Sequence, residues 1–150
     1  MSRAEDAAHI SLQVSRGIVV ASIQTDLEPD VLAGFQRDVL QRIHDVGARG
    51  LVLEMSGLET LDPAEFEALR RVISMARIMG TETVLVGLSA GIVSALVTSD
   101  VDVDGLRATL GIDEALALFE QEETPVGPDD TAADPEPEDE ALRSAPEAEA

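Results

Sequence analysis

Apolar and polar residues follow two alternating patterns along the first 121 residues. Short apolar runs typical of β-strands occupy residues 9–14, 18–24, 50–55, 83–88 and 106–110. Between these runs, apolar residues recur every three or four positions, as on one face of a helix, in residues 29–46, 63–79, 89–97 and 113–120. The sequence therefore predicts an α/β domain of element order ββαβαβαβα, in which helices pack on a mixed sheet.

Residues that favour turns and helix ends delimit these elements. Ser15-Arg16-Gly17 separates the first two runs and predicts a hairpin, with glycine at the turn. Pro29 opens the first helix, Gly47 and Gly80 end the first and second helices, and Asp113 is a candidate N-cap for the last. The boundaries are therefore set by local chemistry as well as by hydrophobic periodicity.

The segment from Ser56 to Arg71 is the most informative part of the chain. Asp62 is a candidate N-cap, Pro63 suits the first helical position, and Glu65 completes the spacing of a capping box. Because a buried strand precedes this helix, we expect a solvent-facing corner between them. Glu59 and Glu67 add further negative charge. This charge complements the helix dipole and disfavours the binding of a phosphate.

The composition changes abruptly at Glu122. Residues 122–150 contain five of the seven prolines and 11 acids but a single basic residue, Arg143. Such a segment buries too little apolar surface to offset the entropy lost on ordering. We therefore expect a flexible N-terminus over residues 1–8, a folded domain over 9–121 and a disordered acidic tail over 122–150.

The net charge narrows the classes of partner. The chain carries −20 at pH 7, has no lysine, and its ten arginines are scattered. Nucleic acids and anionic membranes are disfavoured, because binding either would require a basic patch. The chain has no cysteine, no apolar leader at its N-terminus and no apolar run long enough to span a bilayer. These features predict a cytoplasmic protein without a metal or cofactor.

One catalytic pattern occurs, at Gly87-Leu88-Ser89-Ala90-Gly91, which has the spacing of a nucleophile elbow. That chemistry needs a histidine base after the serine, but His9 and His44 both precede Ser89. The sequence therefore favours a tight strand-to-helix turn and a non-enzymatic protein. The alternative hypothesis is an orphan α/β small-ligand or anion binder, or an enzyme that uses Ser89 or carboxylates.

Three segments, in this order and spacing, resemble the STAS domain of anti-sigma factor antagonists. They are Val19-Val20-Ala21-Ser22-Ile23-Gln24, Gly47-Ala48-Arg49-Gly50-Leu51-Val52-Leu53 and Val72-Ile73-Ser74-Met75-Ala76-Arg77-Ile78-Met79-Gly80. The resemblance covers residues 9–121 and is strongest to the scaffold proteins of stressosomes. It implies a STAS-like fold, a role in stress-response signalling through a sigma factor, and two kinds of partner. These are a GHKL-type serine kinase or anti-sigma factor, and other STAS domain proteins in an oligomeric assembly.

The resemblance also implies a phosphorylation switch that this chain alters. In the family, an Asp-Ser or Asp-Thr pair precedes the second helix, and a kinase phosphorylates the hydroxyl. The aspartate falls on Asp62, but the hydroxyl position falls on Pro63, which has no nucleophile. Three interpretations follow: the acids imitate the phosphorylated state, Thr60 or Ser56 replaces the missing hydroxyl, or the protein is a non-switching scaffold, which we favour. The resemblance places the partner-binding surface on Leu58, Glu59, Thr60, Asp62, Pro63, Glu65, Phe66 and Ser89.

Overall fold

The computed structural model describes residues 10–123, so the predictions for residues 1–8 and for most of the acidic tail lie outside the described part. The chain divides into two units after Phe119, and residues 120–123 only complete the last helix. The strands are β1 (Ile10–Ser15), β2 (Ile18–Ile23), β3 (Gly50–Glu54), β4 (Glu82–Val86) and β5 (Ala108–Thr109). The helices are α1 (Pro29–Val46), α2 (Pro63–Ile78), α3 (Ala90–Thr98) and α4 (Ile112–Glu123).

The five strands form one mixed sheet whose spatial order, β1-β2-β3-β4-β5, follows the chain. β1 and β2 are antiparallel and pair from Ile10 opposite Ile23 to Ser15 opposite Ile18. The later pairs are all parallel, and each is joined by a crossover that contains a helix. This architecture confirms the predicted mixed sheet and the predicted element order.

The turn between β1 and β2 consists of Arg16 and Gly17. Both residues have positive φ angles, 56° and 76°, as a two-residue type I′ hairpin requires. The predicted hairpin is therefore confirmed, with an arginine in a backbone conformation that usually favours asparagine or glycine.

The two faces of the sheet are covered by different helices. α1, α2 and α3 cover one face, where Phe35, Val39, Phe66 and Leu69 are among the buried residues. On the opposite face, Ile18, Val20, Val52, Val84 and Val86 pack with Ala115 and Phe119 of α4. Because both faces are covered, the central strands have continuous apolar sequences, as expected for parallel strands.

Gly50, at the start of β3, allows α4 to approach the sheet closely. A Cβ atom at this position would stand 2.7 Å from Cε1 of Phe119, well inside van der Waals contact. Next to it, Arg49 donates hydrogen bonds from Nη1 to the carbonyl oxygen of Phe119 and from Nη2 to that of Arg16, each 3.2 Å long. Arg49 thus links α4 to the hairpin turn.

Several predicted boundaries need correction. The last helix runs to Glu123 rather than to residue 120, so residues 122 and 123, which were expected in the disordered tail, are helical. β4 ends at Val86 rather than Leu88, because Gly87 adopts a φ of 78° that turns the chain out of the sheet. β5 comprises only Ala108 and Thr109 rather than residues 106–110. Asp113 is not the N-cap of α4 but lies inside its first turn. The Gly111 carbonyl accepts the first helical hydrogen bond, from Ala115, at 3.2 Å, while the Glu114 carboxylate accepts from the Gly111 N–H at 2.9 Å.

α1 and α2 are amphipathic, and each buries one apolar side. α1 is the longest at 18 residues, and it buries Phe35, Val39 and Ile43 while its opposite side is polar. No helix within residues 10–123 is both long enough and apolar enough to cross a membrane.

Candidate functional site

The candidate site lies at the edge of the sheet where β2, β3 and β4 end. These strands are parallel, so their carboxyl ends lie at the same edge, where loops in α/β proteins commonly form binding sites. The three loops there are residues 24–28 after β2, 55–62 after β3 and 87–89 after β4. The predicted corner is the middle loop, flanked by the other two.

Buried apolar side chains and backbone hydrogen bonds hold the corner in place. The Met55 N–H donates to the Val86 carbonyl at 2.8 Å, and the Leu58 N–H donates to the Met55 carbonyl at 3.0 Å. Leu58 and Leu61 are buried in the core shared with α1 and α2. The loop is therefore anchored at two points, and its polar residues between and after them face outward.

The start of α2 forms the predicted capping box. The Asp62 carboxylate accepts a hydrogen bond from the Glu65 N–H at 2.8 Å, and the Glu65 carboxylate accepts one from the Asp62 N–H at 2.9 Å. Pro63 occupies the first turn, where its missing N–H leaves no hydrogen bond unmade. Asp62 and Glu65 therefore fix the local shape of the corner as well as its charge.

Six of the eight predicted partner-binding residues are accessible. Glu59, Thr60, Asp62, Pro63 and Ser89 are exposed, and Glu65 is half-buried. Leu58 and Phe66 are the exceptions, because their side chains are only 4% and 2% exposed. Their predicted role in direct partner contact needs correction: both side chains turn into the core, where they support the loop and the helix.

All of these accessible residues except Ser89 line a shallow, acidic groove. Its volume is about 660 Å³, and its acidic lining residues are Asp26, Glu28, Glu59, Asp62 and Glu65. The apolar part of the lining includes Leu61, Pro63, Ile92 and Ala95, and no basic side chain from the described part of the chain contributes. No three acidic or histidine side chains within residues 10–123 are arranged to hold a metal ion. The groove is thus suited to a cationic or apolar surface rather than to an anion.

Asp26, Glu28 and Ala95 are groove residues that the sequence analysis did not single out. Asp26 and Glu28 lie in the short loop after β2, so their position could have been inferred from the rule that parallel strands end at one edge. The position of Ala95 could not have been inferred from the sequence, because it depends on how α3 packs against the corner.

Ser89 has a structural role at the start of α3. Its hydroxyl oxygen accepts a hydrogen bond from the Ile92 N–H at 3.2 Å, so Ser89 is the N-cap. Gly87 keeps this turn tight: an added Cβ would stand 3.0 Å from the Glu54 Oε2 atom. His44, at the end of α1, lies at the opposite edge of the sheet from Ser89. The Gly-x-Ser-x-Gly segment is therefore a strand-to-helix turn in which His44 cannot serve as a base.

The two candidate substitute hydroxyls differ in their surroundings. The Ser56 hydroxyl donates to the Glu54 Oε2 atom at 2.5 Å, and the Ser56 N–H donates to the same oxygen at 3.3 Å. Thr60 is exposed and, within residues 10–123, its hydroxyl forms no hydrogen bond. Ser56 is thus held by a carboxylate, whereas Thr60 is open to solvent.

Comparison with known proteins agrees with the fold. A family profile described as "STAS domain" matches residues 9–110. No curated protein sequence is significantly similar to the chain. Among solved structures, a variant of RsbS from Moorella thermoacetica is 22% identical, with a TM-score of 0.66 over 75% of this chain and 95% of that one.

Two further structures show the same fold. A chain from a study of the stressosome, described as a signal integration and transduction hub, is 22% identical, with a TM-score of 0.67 over 76% of this chain and 99% of that one. The unphosphorylated form of the anti-sigma factor antagonist SpoIIAA is 16% identical, with a TM-score of 0.58 over 79% of this chain and 99% of that one.

Proposed function

The chain belongs to the STAS domain family, and on that premise we propose that it is a non-enzymatic interaction module of a stress-response sigma-factor pathway. Its acidic corner would dock a GHKL-type serine kinase or an anti-sigma factor, and other faces would pack against STAS domains in an RsbS-like assembly. We further propose that it binds its partner without the usual phosphorylation switch.

The observation that carries this proposal is the exposed Asp62-Pro63 pair. Asp62 is fixed by the capping box, and Pro63 follows at the position where the family resemblance places the phosphorylated hydroxyl. The carboxylates offer negative charge, but each has fewer oxygens and less charge than a phosphate. A permanent docking surface therefore fits the corner better than an imitation of the phosphorylated state.

The neighbouring hydroxyls do not restore the switch in this proposal. A phosphate on Ser56 would stand beside the Glu54 carboxylate, where like charges repel. Thr60 is accessible, but it lies two residues before Asp62, so a kinase built for the residue after the aspartate would have to approach differently.

Phosphorylation assays with the GHKL-type kinase domains encoded in the same genome test the proposed loss of the switch. We expect no phosphate on the natural chain, whereas the Pro63→Ser variant should be phosphorylated on the introduced hydroxyl, as measured by intact mass and peptide mapping. Serine is tolerated at the start of a helix, so this variant should fold. Phosphorylation of the natural chain at Thr60 or Ser56 would contradict the non-switching scaffold.

Charge reversal tests the docking surface separately. We expect Glu59→Arg to weaken binding to the same kinase domains or anti-sigma factor by about tenfold, or ~1.4 kcal/mol, in calorimetry. Glu67→Arg is the matched control, because Glu67 is also exposed, on α2, but does not line the groove. Equal loss of binding in both variants would indicate a general charge effect, and the corner would not be the docking site.

A further inference from the structure

Within residues 10–123, the outer edge of β1 has none of the features that usually prevent strands from associating. β1 is an edge strand of the sheet, and its sequence, Ile-Ser-Leu-Gln-Val-Ser, contains neither a charge nor a proline. Natural edge strands are commonly protected by lysine, proline, a bulge or a covering segment. An uncharged edge is unusual in a chain of net charge −20.

The hairpin geometry determines which backbone groups of β1 face outward. In a two-residue hairpin, the residues that flank the turn, here Ser15 and Ile18, form a hydrogen-bonded pair. Hydrogen-bonded and non-hydrogen-bonded pairs then alternate along an antiparallel ladder. Ile10, Leu12 and Val14 therefore direct their N–H and C=O groups away from β2, toward the open edge.

The side chains of the same three residues form an apolar row beside α1. Ile10 and Leu12 line a groove of about 270 Å³ together with Val31 and Phe35. Val14 continues the row and is 42% exposed, although it is apolar. The groove and the strand edge together offer apolar surface and backbone groups that no other strand of residues 10–123 pairs.

We propose that this edge binds a second copy of the same chain through antiparallel pairing of the two β1 strands. With Leu12 opposite Leu12 of the second copy, Ile10 of each chain lies opposite Val14 of the other. This register pairs the outward-facing backbone groups and covers Val14 with an apolar side chain. It joins the two sheets across a two-fold axis, the self-complementary arrangement typical of homodimers.

The charges beside the groove support a second copy as the occupant. Asp30 and Arg37 both line the groove on α1, seven residues apart, which is about 10 Å along a helix. Asp38 also lines it, and its carboxylate accepts a hydrogen bond from Arg37 Nε at 3.4 Å, which leaves the Nη groups of Arg37 for the second copy. Between Asp30 and Arg37 lie Ala33, with a small side chain, and Gly34, with none, which permits close approach of a second copy. If the two-fold axis passes beside Ala33 and Gly34, the α1 helices of the two chains run in opposite directions. Arg37 of each chain then faces Asp30 of the other.

This inference specifies the assembly part of the proposed function, on which it rests, and is separate from the docking corner. The groove beside β1 and the corner after β3 share none of their lining residues. Self-association and kinase binding can therefore be measured in the same samples. Loss of one without the other distinguishes failure of this inference from failure of the docking proposal.

The test is the oligomeric state of the full-length chain, measured by sedimentation velocity over a hundredfold range of concentration. We expect a dimer, and we expect Val14→Pro to raise its dissociation constant by more than about tenfold. Proline at position 14 removes an outward N–H but no hydrogen bond to β2. Val14→Thr is the matched control: it keeps the N–H and should remain dimeric, and urea unfolding should confirm that both variants fold.

A charge exchange tests the register. Arg37→Asp alone should weaken the dimer, since two aspartates would then face each other, and Asp30→Arg combined with Arg37→Asp should restore it. A monomer at every concentration would overturn the inference. A dimer that is unchanged by Val14→Pro, or that the exchange does not restore, would also overturn it.

Discussion

Gly50 determines how closely the last helix can pack on the sheet. The aromatic ring of Phe119 occupies the space that a side chain at position 50 would need, and Phe119 itself is 3% exposed. The two residues are 69 positions apart, so one contact fastens the end of the domain to the start of a central strand. A glycine is required here for space rather than for backbone conformation.

We expect Gly50→Ala to destabilise the protein by about 1–3 kcal/mol, because the added methyl group overpacks a filled core. The midpoint of urea unfolding measures this change. Gly91→Ala is the matched control, since the nearest atom to its Cβ would be Ser89 Oγ at 3.9 Å, and alanine favours the helix by about 1 kcal/mol. A Gly50→Ala variant as stable as the natural chain would contradict the tight packing.

The residues of the corner show what sequence reasoning can and cannot predict at this scale. The capping box of Asp62 and Glu65 was predictable because its atoms are three residues apart and its hydrogen bonds are local. The burial of Leu58 and Phe66 was not, because an apolar side chain beside a loop can face a partner or its own core. Only the packing of α1 and α2 on the sheet determines which of these two orientations the side chain adopts.

Among the elements, α4 stands apart from the other helices. It covers the sheet face opposite α1, α2 and α3, and it follows the last residue that the family profile matches, Leu110. Ala115 and Phe119 belong to the same apolar cluster as five strand residues, four valines and one isoleucine. The helix is therefore part of the core rather than an appendage.

We expect a chain that ends at Leu110 to lose cooperative unfolding or to aggregate, because an apolar sheet face becomes exposed. A chain that ends at Glu123 keeps α4 and is the control: it should still unfold in one cooperative transition. Circular dichroism during urea titration measures both. A cooperative transition for the shorter chain would show that α4 is not required for folding.

Element order was predictable from the sequence because each strand and helix has its own hydrophobic period. The end of β4 and the cap of α4 were not. The apolar run continues past Val86, although Gly87 has already left the sheet. Asp113 has the chemistry of a cap, but the hydrogen bonds of Gly111 start the helix two residues earlier. The end of β4 and the start of α4 both depend on backbone dihedral angles. The residue type limits the values of these angles but does not determine them.

At the scale of the whole molecule, charge works against compactness. The chain has 30 acidic and ten basic residues, and five of the acids line the groove at the candidate site. Repulsion between like charges destabilises a folded state, and the effect grows as folding shortens the distances between the charges. The same charge repels copies of the chain from one another, and β1, where we propose that two copies pair, carries no charged residue of its own.

We expect added NaCl to stabilise the protein, because the screening length falls from ~30 Å at about 0.01 M salt to ~8 Å at about 0.15 M. Thermal unfolding at the two salt concentrations measures the shift. The chain ending at Glu123 is the control: residues 124–150 hold nine acids and one arginine, so its net charge is −20 + 8 = −12. Its shift should be smaller, and an unchanged melting temperature for the full-length chain would contradict a role for repulsion.

The capping box gives the corner its shape before any encounter, so little conformational entropy is lost there on binding. Because Pro63 cannot be phosphorylated, an encounter with a kinase leaves no covalent modification at that position. Under the proposed function, the amount of complex then follows from the concentrations of the two proteins. The cell would then control the amount of complex through the synthesis and degradation of this protein.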